Sequence, residues 1–195
     1  SHAVLRFSVD AVEPVLRMDI ELDWHESHTL LKLMLPTEYR GKEVRFGQPF
    51  GTVLRSQLPD SRHSEARWEV PASRHVSLSD DDGSRGLTVL TEAKYGFSVS
   101  SGLVGVSLVR SPRHTGHEEH GVSAYRESLS RVHLDSPFTD QGKHFIRTAI
   151  SMWDRADPAE LLPAALAESV FTGVVEYRGE RCATGFLGLS GGPSL

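Results

Sequence analysis

Asp140-Gln141-Gly142-Lys143-His144-Phe145 is the segment of this chain with the clearest potential for chemistry. It places a carboxylate and an imidazole four residues apart, with a glycine between them. Because glycine adopts positive φ and permits close backbone approach, the side chains of Asp140 and His144 can converge where a strand begins. Two interpretations follow. Either the pair belongs to a binding site, or His144 donates a hydrogen bond to Asp140 and fixes a turn, and the turn is favoured because most side-chain hydrogen bonds are structural.

Histidine-rich segments offer a second chemistry, which is metal binding. His25 and His28 flank Glu26 near the start of the sequence. A polar stretch further along carries three histidines and two glutamates, which are His114, His117, His120, Glu118 and Glu119. Ligands three residues apart meet on a helix, and imidazole suits zinc or nickel. Gly116 and Gly121 disfavour a helix there, so we expect a solvated loop and assign no metal ligand.

Glu69 and Cys182 are the remaining candidates. Trp68 and Glu69 are neighbours in a strand-like segment, so they face opposite sides of a sheet, and we expect Trp68 in the core and Glu69 exposed or paired. Cys182 is the only cysteine. The chain therefore has no internal disulfide framework, which favours a reducing compartment. No base is positioned next to Cys182 in the sequence, and we expect a packed or semi-exposed thiol.

The composition limits the broad class of protein. A chain of 195 residues that is 38% hydrophobic and 24% charged is typical of one soluble globular domain, and we treat residues 1–195 as a single domain. A formal charge of −5 provides no basic surface for nucleic acid. The apolar runs, such as residues 33–35, are too short to span a bilayer. We therefore expect a cytoplasmic protein with neither a nucleic acid nor a membrane as partner.

The clearest element is a strand at residues 16–24. Five apolar residues alternate there with four charged residues between Leu16 and Trp24, which predicts a strand with one buried face. Residues 29–35 predict a second strand that ends at Pro36, and an antiparallel hairpin of the two is the simplest arrangement. Further strands are predicted at residues 44–46, 65–70, 75–78, 86–90, 96–99 and 103–109, with turns at 80–83 and 100–102.

The second half of the chain is less regular. Many short strands joined by polar turns indicate an all-β fold, either a sandwich or a barrel. Residues 113–135 are polar and lack period two, which predicts a long surface loop. Asp157 as N-cap and Pro158 as first helical residue open a helix, which Pro163 limits to a few turns. A closing hairpin is predicted from the last two strand-like segments, residues 173–177 and 183–189.

A series of short motifs runs in a fixed order from Phe46 to Phe145. Its members are Phe46-Gly47, Arg55, Ala66-Arg67-Trp68-Glu69-Val70-Pro71-Ala72, Leu78-Ser79, Gly86-Leu87-Thr88-Val89-Leu90, Lys94-Tyr95-Gly96-Phe97-Ser98, Leu108-Val109-Arg110-Ser111-Pro112 and Asp140-Gln141-Gly142-Lys143-His144-Phe145. The series resembles the C-terminal β-domain of family 38 glycoside hydrolases, the metal-dependent retaining α-mannosidases. The resemblance implies an antiparallel super-sandwich of the galactose-mutarotase-like type, with one short helix and the long surface loop.

The resemblance also implies that this chain and a separate catalytic domain have different roles. It makes this chain a single β-sandwich domain excised from a larger α-mannosidase, with an N-terminal catalytic domain of the same polypeptide as its partner. In the family a divalent metal, usually zinc, binds the sugar while an aspartate attacks the anomeric carbon, and both belong to the N-terminal region. No catalytic residue, metal ligand or cofactor is therefore assigned here. The chain is expected to support the catalytic domain in mannose metabolism and to be inactive alone.

Four residues are expected to line the sugar cleft at the domain boundary, namely Lys94, Tyr95, Asp140 and His144. The ring of Tyr95 can stack on a pyranose face while Lys94 donates to hydroxyl oxygens. The alternative is a strand start in which Tyr95 packs. A catalytic acid needs a second carboxylate, at about 5 Å for retention or about 6.5–9.5 Å for inversion. The sequence does not provide such a distance, so Glu69 is not assigned as a catalytic acid.

Two other functions stay open on the sequence. A non-catalytic carbohydrate-binding module would present an exposed aromatic platform. A stand-alone mutarotase-like sugar epimerase needs a histidine and a carboxylate that face one sugar, and His144 with Glu69 or Asp140 could supply them. The order of the motifs favours the mannosidase. An exposed apolar patch could also lead the domain to form homo-oligomers.

Overall fold

The computed structural model describes residues 1–11, 13, 15–58, 61–66, 69–113, 138–154 and 163–172. Several predictions fall on other residues. The loop at residues 113–135 lies outside the described residues apart from its first position, and so do the helix start at Asp157, the closing hairpin, Trp68 and Cys182.

Eleven strands and two helices make up the described part of the chain. The strands are β1 (His2–Val9), β2 (Leu16–Trp24), β3 (Leu30–Pro36), β4 (Glu43–Gln48), β5 (Gly51–Ser56), β6 (Val70–Pro71), β7 (His75–Ser79), β8 (Arg85–Thr91), β9 (Gly96–Ser100), β10 (Leu103–Arg110) and β11 (Gly142–Asp154). The helices are α1 (Arg62–Glu65) and α2 (Pro163–Phe171). Neither helix combines the length and the apolar composition needed to cross a bilayer.

The strands form two sheets in which every described pairing is antiparallel. The larger sheet has the order β1-β2-β11-β8-β7-β4-β5, and the smaller has the order β3-β10-β9-β6. One apolar core joins them, with Ile20 and Val89 from the larger sheet and Phe97 and Val106 from the smaller. The expected all-β antiparallel sandwich is confirmed.

Strand β2 shows why the pattern of the sequence predicts the fold well at this point. Its apolar residues Met18, Ile20, Leu22 and Trp24 are buried, whereas Glu21 between them is exposed. Successive side chains of a strand point to opposite faces, so the alternation places one face of β2 in the core. The predicted bounds of this strand are confirmed.

The predicted hairpin of β2 and β3 is wrong. β2 pairs with β1 on one edge and with β11 on the other, and β3 pairs with β10 in the smaller sheet. The residues between β2 and β3 carry the chain from one sheet to the other, with His28 at a positive φ of 53°. The hairpin rule considers neighbours in sequence, whereas both edges of β2 are occupied here, one of them by a strand from far along the chain.

One further prediction requires correction. Residues 65–70 do not form one strand, because Ser61 caps the single-turn helix α1 and β6 covers only Val70–Pro71. The helix predicted from Asp157 lies outside the described residues, and Pro163, which was predicted to limit it, stands at the first position of α2. A proline tolerates that position because the first helical N–H has no partner within the helix.

Helix α2 covers part of the other face of the larger sheet. Ala167, Val170 and Phe171 pack there against Leu90 of β8 and Ala149 of β11. The larger sheet is therefore buried on both faces at its centre. Asp140 directly before β11 and His144 near its start lie at the opposite end of that strand from Ile150 and β8.

Candidate functional site

The turn before β11 brings Asp140 and His144 together through the backbone. Asp140 has a φ of 55° and Gly142 a φ of 99°, so two residues of this turn occupy the left-handed region. Nε2 of His144 lies 2.8 Å from the carbonyl oxygen of Asp140. Because a carbonyl oxygen only accepts, the Nε2–H group donates this bond. His144 thus holds the strained turn, and the carboxylate of Asp140 stays outside that contact.

The carboxylate of Asp140 lies beside the end of β10. Its Oδ2 accepts from the backbone N–H of Arg110 at 3.5 Å, which is a long hydrogen bond. Thr139 donates from its hydroxyl to the carbonyl oxygen of Arg110 at 3.1 Å. The turn is therefore fastened to β10 on two sides, and these contacts fix the position of the carboxylate.

Lys94 and Tyr95 occupy the connection between β8 and β9. The hydroxyl of Thr91 donates to the carbonyl oxygen of Lys94 at 2.9 Å, and the N–H of Ala72 donates to that of Tyr95 at 2.9 Å. Burial lowers the pKa of Lys94, and the negative charge of Asp140 acts against that shift. The Tyr95 side chain is 59% exposed. The structure thus brings the charges of Lys94 and Asp140 near each other and leaves the Tyr95 ring accessible.

Glu69 is paired, as the sequence predicted. Nζ of Lys32 on β3 donates to Oε2 of Glu69 at 2.8 Å, and the hydroxyl of Ser107 on β10 donates to Oε1. Burial alone would raise the pKa of Glu69. The hydrogen bonds from Lys32 and Ser107 outweigh burial, so its pKa lies below the usual range and the group is a carboxylate at neutral pH.

Sequence reasoning did not find the partners of Glu69. Lys32 stands between two leucines in a strand, which signals a side chain on the outer face of a sheet. Its position opposite Ser107 follows only from the pairing of β3 with β10. No local pattern could have placed Lys32 next to Glu69.

A cleft of about 520 Å³ is lined by both Glu69 and Asp140. It is lined by Leu30 of β3, by Glu69, by residues 107–110 of β10 and by Asp140. A β-bulge interrupts β10 there, because Ser107 pairs with Lys32 and Val109 already pairs with Leu31. Bulges redirect side chains and are frequent next to functional sites. The cleft contains two carboxylates, one hydroxyl group and apolar surface, which together suit a polyhydroxylated ligand.

The histidines near the N-terminus form no metal site. Nε2 of His25 lies 2.8 Å from the carboxylate of Asp23, Glu26 pairs with the N-terminal amine, and His28 packs edge-on against Phe138. Within residues 1–11, 13, 15–58, 61–66, 69–113, 138–154 and 163–172, no three His, Cys, Asp or Glu residues converge as metal ligands. His114, His117 and His120 lie outside the described residues.

Comparison with known proteins agrees with the motif series. Residues 2–118 match the family model described as the glycosyl hydrolases family 38 C-terminal domain. The chain is 35% identical over 100 residues to Alpha-mannosidase 2C1 of Mus musculus, an alignment covering 51% of this chain and 9% of that protein. It is 34% identical over 99 residues to Alpha-mannosidase G of Dictyostelium discoideum, covering 50% of this chain and 9% of that protein. The chain thus spans about a tenth of the length of these relatives.

A solved structure shares the fold over most of the chain. An α-mannosidase from Enterococcus faecalis V583 superposes with a TM-score of 0.68 and 13% identity, covering 91% of this chain and 19% of that one. At that identity the likeness concerns the fold alone. The family model, however, matches more than half of the chain and covers the motifs from Phe46 to Pro112. The chain therefore belongs to glycosyl hydrolase family 38 and carries its C-terminal domain.

Proposed function

We propose that this chain is the C-terminal domain of an α-mannosidase, supports a catalytic domain of the same polypeptide and helps to form the binding site for a terminal α-mannoside. The match of residues 2–118 to the family 38 C-terminal domain carries the proposal. Two relatives are named α-mannosidases, and this chain corresponds to only 9% of each. The rest of such a polypeptide supplies the residues that break the glycosidic bond.

We further propose a retaining hydrolysis with zinc or another divalent metal bound by the catalytic domain, in the cytoplasmic metabolism of mannose. The described residues of this chain do not fit a zinc site, since no three suitable ligands converge among them. No step of the reaction is therefore assigned to a metal held by this part of the chain. The residues of this part of the chain bind and orient the sugar.

Within that function, we assign the lining of the sugar cleft to Lys94, Tyr95, Asp140 and His144. Tyr95 presents an accessible ring for stacking on a sugar face. The carboxylate of Asp140 lines the 520 Å³ cleft and can accept from sugar hydroxyls. Lys94 contributes a half-buried positive charge that interacts with the negative charge of Asp140. His144 acts through Asp140 by holding the carbonyl oxygen of that residue.

Hydrolysis of a chromogenic α-mannoside tests the function. The full-length parent is expected to release the chromophore in the presence of zinc, and the 195-residue chain alone is not. A parent that hydrolyses other glycosides but no α-mannoside contradicts the proposal. Metal-dependent turnover by the chain alone also contradicts it, because the catalytic residues would then lie in this domain.

The substitution Asp140→Asn in the parent enzyme tests the cleft. Asparagine tolerates a positive φ, so the turn is preserved while the charge is removed. We expect kcat/KM for the α-mannoside to fall about tenfold, which corresponds to about 1.4 kcal/mol and is typical of one hydrogen bond to a charged group.

The matched control is Asp81→Asn, which removes an exposed carboxylate from the turn between β7 and β8. It is expected to leave kcat/KM unchanged. Equal kinetics of the two variants, with both folded to the same melting temperature, would exclude Asp140 from the cleft.

A further inference from the structure

A polar network lies on the smaller sheet, around the pair formed by Lys32 of β3 and Glu69, the residue directly before β6. Besides donating to Glu69, Nζ of Lys32 donates to the hydroxyl of Ser98 on β9 at 2.7 Å. The side chains of Lys32 and Glu69 are only 15% and 26% exposed. An ion pair of this burial is more costly to desolvate than a surface pair, so it persists only because hydrogen bonds satisfy both groups.

Two glycines make the room for this network. A Cβ on Gly105 of β10 would lie 2.5 Å from Oγ of Ser98 and 3.0 Å from Cε of Lys32. A Cβ on Gly96 of β9 would lie 3.0 Å from Oε1 of Glu69. Glycine within a strand often marks a place where another group approaches the backbone closely. The two glycines therefore leave a depression in the sheet surface, and the side chains of Lys32 and Glu69 lie in it.

The network opens directly into the cleft. Glu69 and Ser107 belong to both, and Asp140 lines the same cavity. Each oxygen of an ionised carboxylate can accept about two hydrogen bonds. Oε2 of Glu69 accepts from Lys32 and Oε1 accepts from Ser107. Both oxygens keep capacity for a hydroxyl donor that enters from the cleft.

The charges around the cleft indicate which ligand it suits. Lys32 pairs with Glu69, and the positive charge of Lys94 acts on Asp140. Because a cation lies near each carboxylate, the cleft does not present a strong field of one sign to an approaching ion. Leu30 adds an apolar wall that the C–H face of a ring can contact. A neutral sugar with several hydroxyl groups combines these requirements.

We propose that this cleft is a sugar subsite in which Glu69, held in place by Lys32 and Ser107, and Asp140 accept hydrogen bonds from the hydroxyl groups of one neutral hexose. The choice of an α-mannoside as ligand rests on the proposed function, whereas the site itself rests on the geometry of the chain. Glu69 thereby joins the cleft as a binding residue that orients the sugar from the outer face of the smaller sheet.

Titration of the ¹⁵N-labelled chain with methyl α-mannoside tests the subsite. Saturable shifts are expected at the backbone amides of residues 105–110 and at Asp140. The substitution Glu69→Gln keeps the size, its amide oxygen can accept from Lys32 and its NH2 group can donate to the hydroxyl of Ser107, so the sheet is preserved. We expect it to weaken binding about tenfold, as the loss of one charge-assisted hydrogen bond does.

The control is Glu43→Gln, which changes an exposed glutamate on β4 of the larger sheet. It is expected to bind as the unmodified chain does. No saturable shift at millimolar mannoside, shifts confined to other residues, or equal binding by the two variants would each overturn the subsite. Hydrolysis by the parent enzyme is measured separately, so the subsite can fail while the mannosidase function stands, and the reverse.

Discussion

The outer faces of the two sheets are completed in different ways. On the larger sheet, α2 places Ala167, Val170 and Phe171 on an apolar patch formed by Leu90 and Ala149. On the smaller sheet, the outer face carries a polar network and a cleft of about 520 Å³. One face thus gains stability from burial of apolar surface, whereas the other gives up part of that stability for polar groups that a ligand can reach.

An ion pair lies on each face, and their burial differs. Arg147 and Glu92 are 37% and 36% exposed, and the guanidinium of Arg147 lies 6.0 Å from the ring centre of Phe171. Lys32 and Glu69 are 15% and 26% exposed. Exposed pairs contribute little to stability, whereas a half-buried pair leaves an uncompensated charge when one partner is removed. Removing one partner should therefore cost more stability at the pair of Lys32 and Glu69 than at the pair of Arg147 and Glu92.

The largest effect is expected from uncovering the larger sheet. Phe171→Ala removes a side chain that is 7% exposed, and this should lower the free energy of unfolding by about 3–5 kcal/mol. Urea denaturation measures the change. Met152→Ala on β11, where the side chain is 66% exposed, is the control and should change stability by less than about 0.5 kcal/mol. Similar losses for the two variants would show that α2 does not cover the sheet in solution.

A comparable effect is expected from pH, through His75 of β7 in the larger sheet. His75 is 2% exposed, and neither ring nitrogen has a hydrogen-bond partner among the residues that the structure describes. Burial, together with the charge of Arg45, lowers its pKa to about 4 from its usual value of 6.5. Between these two values the unfolded chain binds more protons than the folded chain. Stability is therefore complete above pH 6.5 and falls as the pH is lowered towards 4, by up to about 3 kcal/mol.

The contribution of His75 is measured by difference. Unfolding free energies of the unmodified chain and of His75→Met are compared from pH 7.5 to pH 4, because other groups titrate in the same range. The variant is expected to lose less stability than the unmodified chain over this window. Parallel curves would mean that His75 does not resist protonation in the folded state.

The smallest effects separate the two ion pairs. Lys32→Met should cost about 2 kcal/mol, because Glu69 keeps its burial and loses its cation. Arg147→Met, at the more exposed pair, should cost less than about 1 kcal/mol. The two stability changes are measured by thermal denaturation of both variants at the same ionic strength. If Arg147→Met costs as much as Lys32→Met, burial is not what distinguishes the two faces.

The sequence predicted individual strands well and their pairing poorly. The alternation in β2 is a local property, because each side chain of an extended segment faces opposite to the next. The pairing partner of β2 depended on β11, whose register joins Gly142 to Trp24 across most of the described chain. The single-turn helix α1 also escaped prediction, since its cap is formed by Ser61 and Ser64 within a short polar stretch.

The candidate site shows the same limit. The glycine between Asp140 and His144 predicted a special turn, and the structure has one, with positive φ at Asp140 and Gly142. That His144 binds the carbonyl oxygen of Asp140 was not predictable, because backbone and side-chain acceptors look alike in a sequence. Alternation predicted that Glu69 is either exposed or paired, but its partners Lys32 and Ser107 come from strands whose register was unknown.

By itself, the sequence determined the family, through the order of its motifs, and the period-two strands of an antiparallel sandwich. Each single motif and each alternating strand is a property of residues that are near one another along the chain. The tertiary structure alone decided which strands share a sheet, which charges meet and where a cleft forms. These depend on contacts between distant residues, which exist only after the two sheets have packed and have brought Glu69 and Asp140 to the same cavity.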